Sequence, residues 1–396
     1  MAERVLMKGN EAIAEAAIRA GCRHYFGYPI TPQTEIAAYM AKRMPKIGGV
    51  FLQAESELAA INMVYGAAAA GMRVMTSSSS PGISLKSEGI SYISGSDVPA
   101  LVVNVQRGGP GLGGIQPSQS DYFQATKGGG HGDYRMIVLA PASVQEMASL
   151  TVKGFNLADK YNMISMILAD GTIGQMMEPI SFEDVEVEHY DKPWALTGTE
   201  CKRKHNIVNS LYLQPDVLEK KNFERYEKYK VVEENEAMAE TYLMDDADVG
   251  VVAFGIAARV AKNAVAAARA EGIRAGLIRP ITLWPFPTKA LQAAADQAKS
   301  FISVELNMGQ MIEDIRLATQ CRRPVSLCNR AGGMIPSPDQ VKSFVSVELS
   351  MGQMVEDIQL ATGCRRPVSL CNRVGGMIPS PDQVLESIRK AAKGEN

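Results

Sequence analysis

Short apolar segments alternate with longer segments of helical periodicity over the first 180 residues of the chain. The pattern predicts strands at 24–28, 49–53, 73–77, 100–105, 136–140 and 164–169, and helices that begin near 10, 31, 56, 82 and 143. Short apolar strands that are separated by helices are typical of a parallel sheet with helices on both faces. We therefore expect a doubly wound α/β domain over 1–180.

The alternation stops between 181 and 245, where the chain is charged and irregular and an exposed helix is predicted over 215–239. A strand, a helix and a second strand are predicted again over 249–279, followed by a proline-rich turn at 284–287. We interpret 181–245 as a linker that crosses to a second parallel-sheet α/β domain over 246–342.

The C-terminal part of the chain contains a repeat. Residues 300–342 recur as 343–385, and 36 of the 43 positions are identical. Each copy has the pattern of a strand, a helix and a strand, and two copies are fewer than a solenoid needs, so the pattern indicates a tandem duplication. Two near-identical strands cannot fill one place in a sheet. We therefore expect one copy to complete the second domain, and the other, within 343–396, to be extruded or to add at an edge before a C-terminal helix.

Composition and charge exclude several classes of protein. Lys and Arg number 41 and Asp and Glu number 43, and no basic block is present, which argues against a nucleic-acid-binding protein or a polybasic membrane anchor. No apolar stretch approaches the roughly 18 residues of a membrane-spanning helix, and the N-terminus lacks the apolar run of a signal peptide. Six cysteines in 396 residues fit a reducing compartment, so we expect a cytoplasmic protein.

Cysteine and histidine positions do not predict a metal site in this chain. Two pairs, Cys321 with Cys328 and Cys364 with Cys371, are separated by six residues each, unlike the two-residue separation of zinc and iron–sulfur ligands. We interpret them as ordinary cysteines at strand ends. The four histidines are not spaced like metal ligands either.

Polar groups follow four of the predicted strands, at the carboxyl ends where open parallel sheets bind ligands. They are Thr31 with the preceding residues, Glu57, the hydroxyl run 76–80, and Arg107 with the glycine-rich loop 108–114. Each has a structural alternative, because Thr31 can cap a helix, Glu57 can favour a helix dipole, and Arg107 can pair with any acid.

Glu57 leads a predicted helix that is nearly devoid of charge over the following residues, 58–70. A carboxylate in that position is expected to be partly buried, and burial would raise its pKa and suit it to share a proton with a ligand.

Other motifs are weak. The loop 108–114 formally matches a dinucleotide fingerprint but follows the fourth strand and contains Pro110, and no histidine is placed to activate the serine run. Asp170 with Gly171 is only a fragment of a thiamine-diphosphate magnesium motif, so we interpret it as a strand end.

Five motifs together resemble the α subunit of 2-oxoacid:ferredoxin oxidoreductases. They are Gly27-Tyr28-Pro29-Ile30-Thr31-Pro32, Glu55-Ser56-Glu57, Thr76-Ser77-Ser78-Ser79-Ser80-Pro81-Gly82, Arg107-Gly108-Gly109-Pro110-Gly111 and Gln116-Pro117-Ser118-Gln119-Ser120-Asp121. The resemblance extends from about residue 4 to 342 and is greatest to the 2-oxoisovalerate (3-methyl-2-oxobutanoate) branch. The duplicated segment departs from the family pattern.

The resemblance implies two doubly wound domains, one that binds the pyrimidine side of thiamine diphosphate and one like the C-terminal domain of transketolase. It also implies that a β subunit completes the cofactor site with Mg²⁺ and carries an iron–sulfur cluster. Gamma and ferredoxin-like delta subunits, ferredoxin and coenzyme A are the further partners. The isolated chain is then expected to be inactive.

The resemblance assigns roles to individual residues. Glu57 would hydrogen-bond N1′ of the aminopyrimidine, Arg107 would bind the substrate carboxylate, and Thr31 would lie near the substrate and the reactive carbon. The remaining cofactor-binding residues would be Tyr28, Pro29, Ile30, Ser78 and Ser79. The reaction would be oxidative decarboxylation of a branched-chain 2-oxoacid to acyl-CoA and carbon dioxide, with reduction of ferredoxin. Specificity for 2-oxoglutarate, pyruvate or indolepyruvate, a non-catalytic scaffold role and a nicotinamide-dependent dehydrogenase remain as alternatives.

Overall fold

The computed structural model describes residues 4–182 and 186–346. The strands are β1 Val5–Lys8, β2 His24–Gly27, β3 Val50–Gln53, β4 Val74–Ser78, β5 Ala100–Gln106, β6 Ile137–Leu139, β7 Ile164–Asp170, β8 Met177–Ile180, β9 Ala239–Tyr242, β10 Val249–Ala253, β11 Ala275–Pro280, β12 Thr282–Trp284, β13 Ser300–Glu305 and β14 Val325–Asn329. The helices are α1 Gly9–Arg19, α2 Thr34–Arg43, α3 Glu57–Ala69, α4 Ser80–Gly95, α5 Tyr122–Thr126, α6 Val144–Tyr161, α7 Gly171–Gln175, α8 Pro215–Glu236, α9 Gly255–Ala270, α10 Thr288–Gln297, α11 Met311–Ala318 and α12 Pro338–Ser346, with a 3₁₀ turn at Met44–Ile47.

The first sheet has seven strands in the order β12-β6-β7-β5-β4-β2-β3. All neighbours are parallel except β12, which runs antiparallel to β6. Every residue of the central strands β4, β5 and β7 is buried, as expected for strands covered by helices on both faces. The α/β prediction is confirmed, and the carboxyl ends of β2, β4 and β5 meet along one edge of this sheet.

The second sheet has five strands in the order β14-β13-β10-β11-β9, and only β9 is antiparallel to its neighbour. Four of the fourteen strands in the described residues were not predicted: β1 and β8, which pair with each other, and β9 and β12, which depart from the expected division of the chain. Strand β9 lies inside the segment predicted as linker, and β12 returns from the second part of the chain to the edge of the first sheet. Between 186 and 214, the predicted linker contains neither helix nor strand.

The first copy of the repeat completes the second sheet, because β13 and β14 pair side by side next to β10. Nearly all of the second copy lies outside the described residues. Its first four residues, 343–346, form the end of α12, whereas the equivalent residues 300–303 lie in β13. The expectation of a strand at the start of both copies is therefore wrong for the second one. The same four-residue pattern is therefore a strand in the first copy and helical in the second, because tertiary context overrides local propensity.

Within residues 4–182 and 186–346, no helix is both long and apolar enough to cross a membrane.

Candidate active site

Glu57 is the first residue of α3, at the carboxyl edge of the first sheet. Its side chain is 6% exposed. The preceding Ser56 caps the helix, since its hydroxyl accepts the Ala59 amide at 3.2 Å. No residue in the described part of the chain donates a hydrogen bond to the Glu57 carboxylate or forms a direct ion pair with it. A buried carboxylate that no described residue pairs is available to a donor on a ligand.

Glycine at position 82 allows α4 to approach Glu57 closely. A Cβ atom on Gly82 would lie 2.7 Å from Glu57 Oε1 and 2.1 Å from Ser78 Oγ, so the two side chains share the space beside this glycine. The hydroxyls of Ser78 and Ser79 are buried, and neither has a hydrogen-bond partner in the part of the chain that the structure describes. The structure thus brings Glu57 and Ser78 together and, within the described residues, leaves the Ser78 hydroxyl without a hydrogen-bond partner, which favours a ligand at this place.

Arg107 follows β5 and is 7% exposed. Its backbone amide donates to Ser80 Oγ at 3.0 Å, which places it beside the start of α4. Its guanidinium donates to the Thr31 carbonyl at 3.0 Å and to the Leu112 carbonyl at 3.2 Å, while its Nε has no partner. Arg107 and Thr31 therefore lie together, as predicted, and they connect to Glu57 through residues 78–82.

The interpretation of Thr31 as a helix cap is wrong. The peptide between Thr31 and Pro32 is cis, and α2 begins three residues after Thr31 with Gln33 as its N-cap. A residue before proline is disfavoured in the helical region, so the Thr-Pro pair forms a turn and not a first helical turn. The Thr31 side chain is exposed at the edge of the site.

The loop that precedes Thr31 is anchored by Gln33, which sequence reasoning did not single out. Gln33 is fully buried and donates its side-chain amide to the Tyr28 carbonyl at 3.2 Å. The Gln33 carbonyl oxygen Oε1 accepts Ser77 Oγ at 2.6 Å, so the loop is tied to β4. Tyr28 and Ile30 are half-buried and Pro29 is exposed.

Gln119 joins the two sheets. It is fully buried, and its side chain donates to the Phe254 carbonyl at 2.8 Å and accepts the Leu306 amide at 3.2 Å. Its backbone carbonyl accepts Asn307 Nδ2 at 2.9 Å. The motif 116–121 therefore contributes to the junction with the second sheet. The sequence does not reveal this role, because the contacts join residues that are nearly 190 positions apart.

Asp170 also lies at this junction and ends β7, which confirms its interpretation as a strand end. Its Oδ1 accepts the Thr172 and Ile173 amides at 3.1 Å, and its Oδ2 accepts the Ile256 amide at 2.8 Å. Burial raises the pKa of Asp170 to about 6. The carboxylate caps α7 and fixes the start of α9.

The glycine-rich loop after Arg107 is a turn and not a dinucleotide-binding motif. The first helix after it is α5, which begins eight residues beyond Gly114 and has five residues. Gly113 has a φ of 58°, and a Cβ there would lie 1.8 Å from the Gly108 carbonyl oxygen, so this position requires glycine. Leu112 and Ile115 project from this loop with 83% and 59% exposure.

Among the residues that the structure describes, no group of three or more histidine, cysteine or acidic side chains could hold a metal ion. Cys328 lies within β14, where burial raises its thiol pKa to about 12. Cys321 is exposed in the turn after α11, so its interpretation as a strand-end cysteine is wrong.

Two cavities among the described residues lie away from Glu57. A cavity of about 850 Å³ is lined by Lys127, Trp284 and Asp314 among others, and one of about 420 Å³ by Tyr92, His131 and Arg225 among others. Glu57 lines neither of them. Among the described residues, the polar atoms around Glu57 form a wall that neither of these two cavities includes.

Comparison with known proteins identifies the family. The family model of pyruvate flavodoxin/ferredoxin oxidoreductase, thiamine diphosphate-binding, matches residues 15–242. A second model, pyruvate:ferredoxin oxidoreductase core domain II, matches residues 247–341. The chain is 56% identical to the ketoisovalerate oxidoreductase subunit VorB of Methanothermobacter thermautotrophicus, over 83% of this chain and 93% of the relative. It is 37% identical to the 2-oxoglutarate synthase subunit KorA of Methanothermobacter marburgensis, over 85% of this chain and 97% of that protein.

Among solved structures, the chain is similar to 2-oxoglutarate:ferredoxin oxidoreductase from Magnetococcus marinus, with a TM-score of 0.77 and 30% identity. The match covers 87% of this chain and 65% of that chain. A split-gene transketolase matches with a TM-score of 0.55 at 14% identity, which concerns the fold alone. This chain belongs to the thiamine-diphosphate-dependent 2-oxoacid:ferredoxin oxidoreductase family.

Proposed function

We propose that this chain is the α subunit of a 2-oxoisovalerate:ferredoxin oxidoreductase. It would contribute the pyrimidine side of a thiamine diphosphate site to a hetero-oligomer that converts a branched-chain 2-oxoacid and coenzyme A to acyl-CoA and carbon dioxide. The observation that carries the proposal is the buried Glu57 carboxylate, which no described residue pairs, at the carboxyl edge of the first sheet.

The residues of the site fit an aminopyrimidine ring. A buried carboxylate without an internal donor can accept a proton or hydrogen bond from a ring nitrogen, and the two orphan hydroxyls of Ser78 and Ser79 can satisfy further polar atoms of the ring. Gly82 leaves the space beside Glu57 free of a side chain. The half-buried loop of Tyr28 and Ile30 would form an adjoining side of the cofactor site.

Each catalytic side chain has a distinct proposed task. Glu57 would hold a proton that is shared with the ring nitrogen, and Arg107, whose Nε has no partner, would attract the substrate carboxylate. Thr31 is exposed and its backbone carbonyl accepts from Arg107, and its hydroxyl would orient the substrate. When bound, thiamine diphosphate supplies the thiazolium carbon that makes decarboxylation of a 2-oxoacid feasible.

A second polypeptide would complete the site. Four large apolar side chains on the elements that carry the site are 45% to 83% exposed: Leu58 on α3, Leu85 on α4, and Leu112 and Ile115 on the glycine-rich loop. We propose that they belong to one interface, since exposed apolar patches are typical of protein interfaces. We assign it to a β subunit that carries the diphosphate and Mg²⁺ side and an iron–sulfur cluster, with γ and ferredoxin-like δ subunits completing a cytoplasmic complex.

Substrate choice rests on the relatives. The proteins at 55–56% identity are named ketoisovalerate oxidoreductase subunits, whereas the 2-oxoglutarate synthase subunits reach 35–37%.

We also propose that the family-model boundary near 242–247 separates the two functional domains, close to the predicted division at 245.

The proposal is tested by co-purifying the chain with its partner subunits and measuring reduction of ferredoxin by a series of 2-oxoacids with coenzyme A. We expect kcat/KM to be highest for 2-oxoisovalerate and activity to require thiamine diphosphate. A preference for 2-oxoglutarate would reassign the substrate, and activity of the isolated chain with a nicotinamide cofactor would overturn the proposal. Full activity of a Glu57→Ala complex would indicate a scaffold role.

A further inference from the structure

A carboxylate that has no task in the proposed function lies next to Arg107. Asp121 is half-buried at the N-cap of α5, and its Oδ2 accepts Ser80 Oγ at 2.6 Å and Asn104 Nδ2 at 2.8 Å. Its backbone amide donates to Gln106 Oε1 at 3.1 Å. Asp121 is therefore bound both to the end of β5 and to the first residue of α4.

The hydroxyl of Ser80 connects Asp121 to the backbone of Arg107. Ser80 Oγ accepts the Arg107 amide at 3.0 Å, and the Arg107 carbonyl oxygen lies 3.3 Å from the same hydroxyl. A serine hydroxyl has a single hydrogen to donate. The carboxylate competes best for it, because charge-assisted hydrogen bonds are shorter and stronger than neutral ones. With that hydrogen on Asp121, a lone pair of Ser80 Oγ is left for the Arg107 amide.

Arg107 requires this support because it lies beyond the paired part of its strand. The pairing of β5 with β4 ends at Asn104, and the pairing with β7 ends at Gln106. Beyond these pairs, the Arg107 backbone is held by Ser80 and by an isolated bridge to Pro117. The place from which the guanidinium can reach a ligand therefore depends on the Ser80 hydroxyl.

The segment that carries Asp121 is in turn fixed by the second sheet. Ser118 Oγ donates to the Leu306 carbonyl at 3.3 Å, just after β13, and Gln310 Nε2 donates to the Ser120 carbonyl at 2.8 Å, just before α11. Contacts from the second part of the chain thus place Asp121, and Asp121 connects them to the edge of the first sheet.

We propose that Asp121 is a positioning residue that holds Arg107, through the Ser80 hydroxyl, where its guanidinium binds the substrate carboxylate. This role rests on the proposed function, because it explains how Arg107 is placed for a 2-oxoacid. The same hydrogen bonds also hold the start of α4, which approaches Glu57 at Gly82. A role in α4 alone would change the binding of thiamine diphosphate, whereas a role in Arg107 changes the binding of the substrate.

The first test measures the Arg107 amide in the full chain without partner subunits. Its hydrogen exchange is followed by NMR on a sample with isotopically labelled arginine, and the signal is assigned by its loss in Arg107→Lys. Asp121→Leu should accelerate this exchange by about 10-fold, which corresponds to the loss of roughly one hydrogen bond. Arg279 in β11 is the internal reference and should keep its rate.

Two serine variants complete this test. Ser80→Ala removes the connecting hydroxyl and should accelerate the Arg107 exchange as Asp121→Leu does. It also decides the question if Asp121→Leu does not fold. Ser87→Ala is the matched control on α4, because the Ser87 hydroxyl donates to the Ile83 carbonyl of its own helix, and the Arg107 rate should not change.

The second test compares substrate and cofactor binding in the assembled complex. Asp121→Leu should raise KM for 2-oxoisovalerate by about 10-fold and leave the dissociation constant of thiamine diphosphate within about 2-fold of the wild type. Asp121→Asn keeps a carbonyl oxygen for both donors, so its KM should rise less than that of Asp121→Leu. In an Arg107→Lys background, Asp121→Leu should add no further rise in KM.

The outcomes separate this inference from the proposed function. An unchanged Arg107 exchange rate in folded Asp121→Leu or Ser80→Ala overturns the inference, and so does an equal acceleration at Arg279, since Asp121 would then stabilise the whole chain. A loss of thiamine diphosphate affinity as large as the rise in KM also overturns it, in favour of a role in α4. A wild-type complex that oxidises no 2-oxoacid overturns the proposed function, and the Arg107 exchange rate still decides whether Asp121 holds Arg107.

Discussion

Replacement of Lys86 by methionine should stabilise the chain at neutral pH, although it removes a hydrogen bond. The ordinary pKa of lysine is 10.5, and burial lowers that of Lys86 to about 8. At about 1.4 kcal/mol per pKa unit, the buried charge costs the folded state about 3 kcal/mol at pH 7. Methionine has similar length and no charge, and the lost bond to Thr76 costs about 1 kcal/mol. The variant should therefore gain about 2 kcal/mol at pH 7.

The sign of this gain depends on pH. Below pH 8, Lys86 is protonated in both the folded and the unfolded chain, so the whole cost of burial is present. Between pH 8 and 10.5 the unfolded chain holds more protons at this position, so the stability of the wild-type chain rises with pH. The advantage of Lys86→Met should accordingly disappear by about pH 10, where the lost hydrogen bond remains.

Urea unfolding of the full chain at pH 7 and pH 10 measures this difference, with Lys46→Met as the exposed-lysine control. We expect the free energy of unfolding of Lys86→Met to exceed that of the wild type only at pH 7, and the control to change little at either pH. If Lys86→Met is less stable than the wild type at pH 7, or if its effect is the same at both pH values, then Lys86 does not carry a costly buried charge.

Three further substitutions test the site and the junction. Gly82→Ala should weaken thiamine diphosphate binding by at least about 10-fold in the complex, because its Cβ would displace Glu57 and Ser78; Gly66→Ala on α3, where a Cβ meets no atom within 4 Å, should bind normally. Arg107→Lys should raise KM for the 2-oxoacid by about 10- to 100-fold, since a lysine cannot make the forked contact, and an unchanged KM would remove Arg107 from substrate binding. Gly255→Ala should lower the free energy of unfolding by about 2 kcal/mol more than Gly272→Ala does. Both glycines have a positive φ, but only a Cβ at position 255 would meet other side chains, those of Asp170 at 2.8 Å and Gln119 at 2.9 Å.

The alternation of strands and helices was predictable because each strand is a short apolar run that the fold buries on both faces. The position of Glu57 at the start of a helix was also predictable, since Ser56 provides a cap and the following residues lack charge. The predicted helix start at Thr31 was wrong because a threonine before proline has the sequence of a cap, whereas the chain forms a cis turn there and begins the helix at Thr34. A local motif cannot distinguish these two conformations.

The positions that sequence reasoning missed depend on contacts between distant segments. Lys86 has the sequence context of an ordinary polar residue in a helix, and its burial follows from the close approach of α3 at Gly82 and Gly89. Gln119 is buried only because Phe254 and Leu306 arrive from the second sheet. The antiparallel strand β12, which returns to the first sheet, follows from the same packing of the two sheets.

The central claim is that Glu57 acts on thiamine diphosphate in the assembled enzyme. The most direct measurement is the rate of ferredoxin reduction with 2-oxoisovalerate and coenzyme A by the complex that contains Glu57→Gln, at saturating thiamine diphosphate, compared with Glu55→Gln at an exposed position two residues earlier. We expect Glu57→Gln to lower kcat by about 10²- to 10⁴-fold and Glu55→Gln to leave it near that of the wild type. A Glu57→Gln complex that turns over at the wild-type rate would contradict the account.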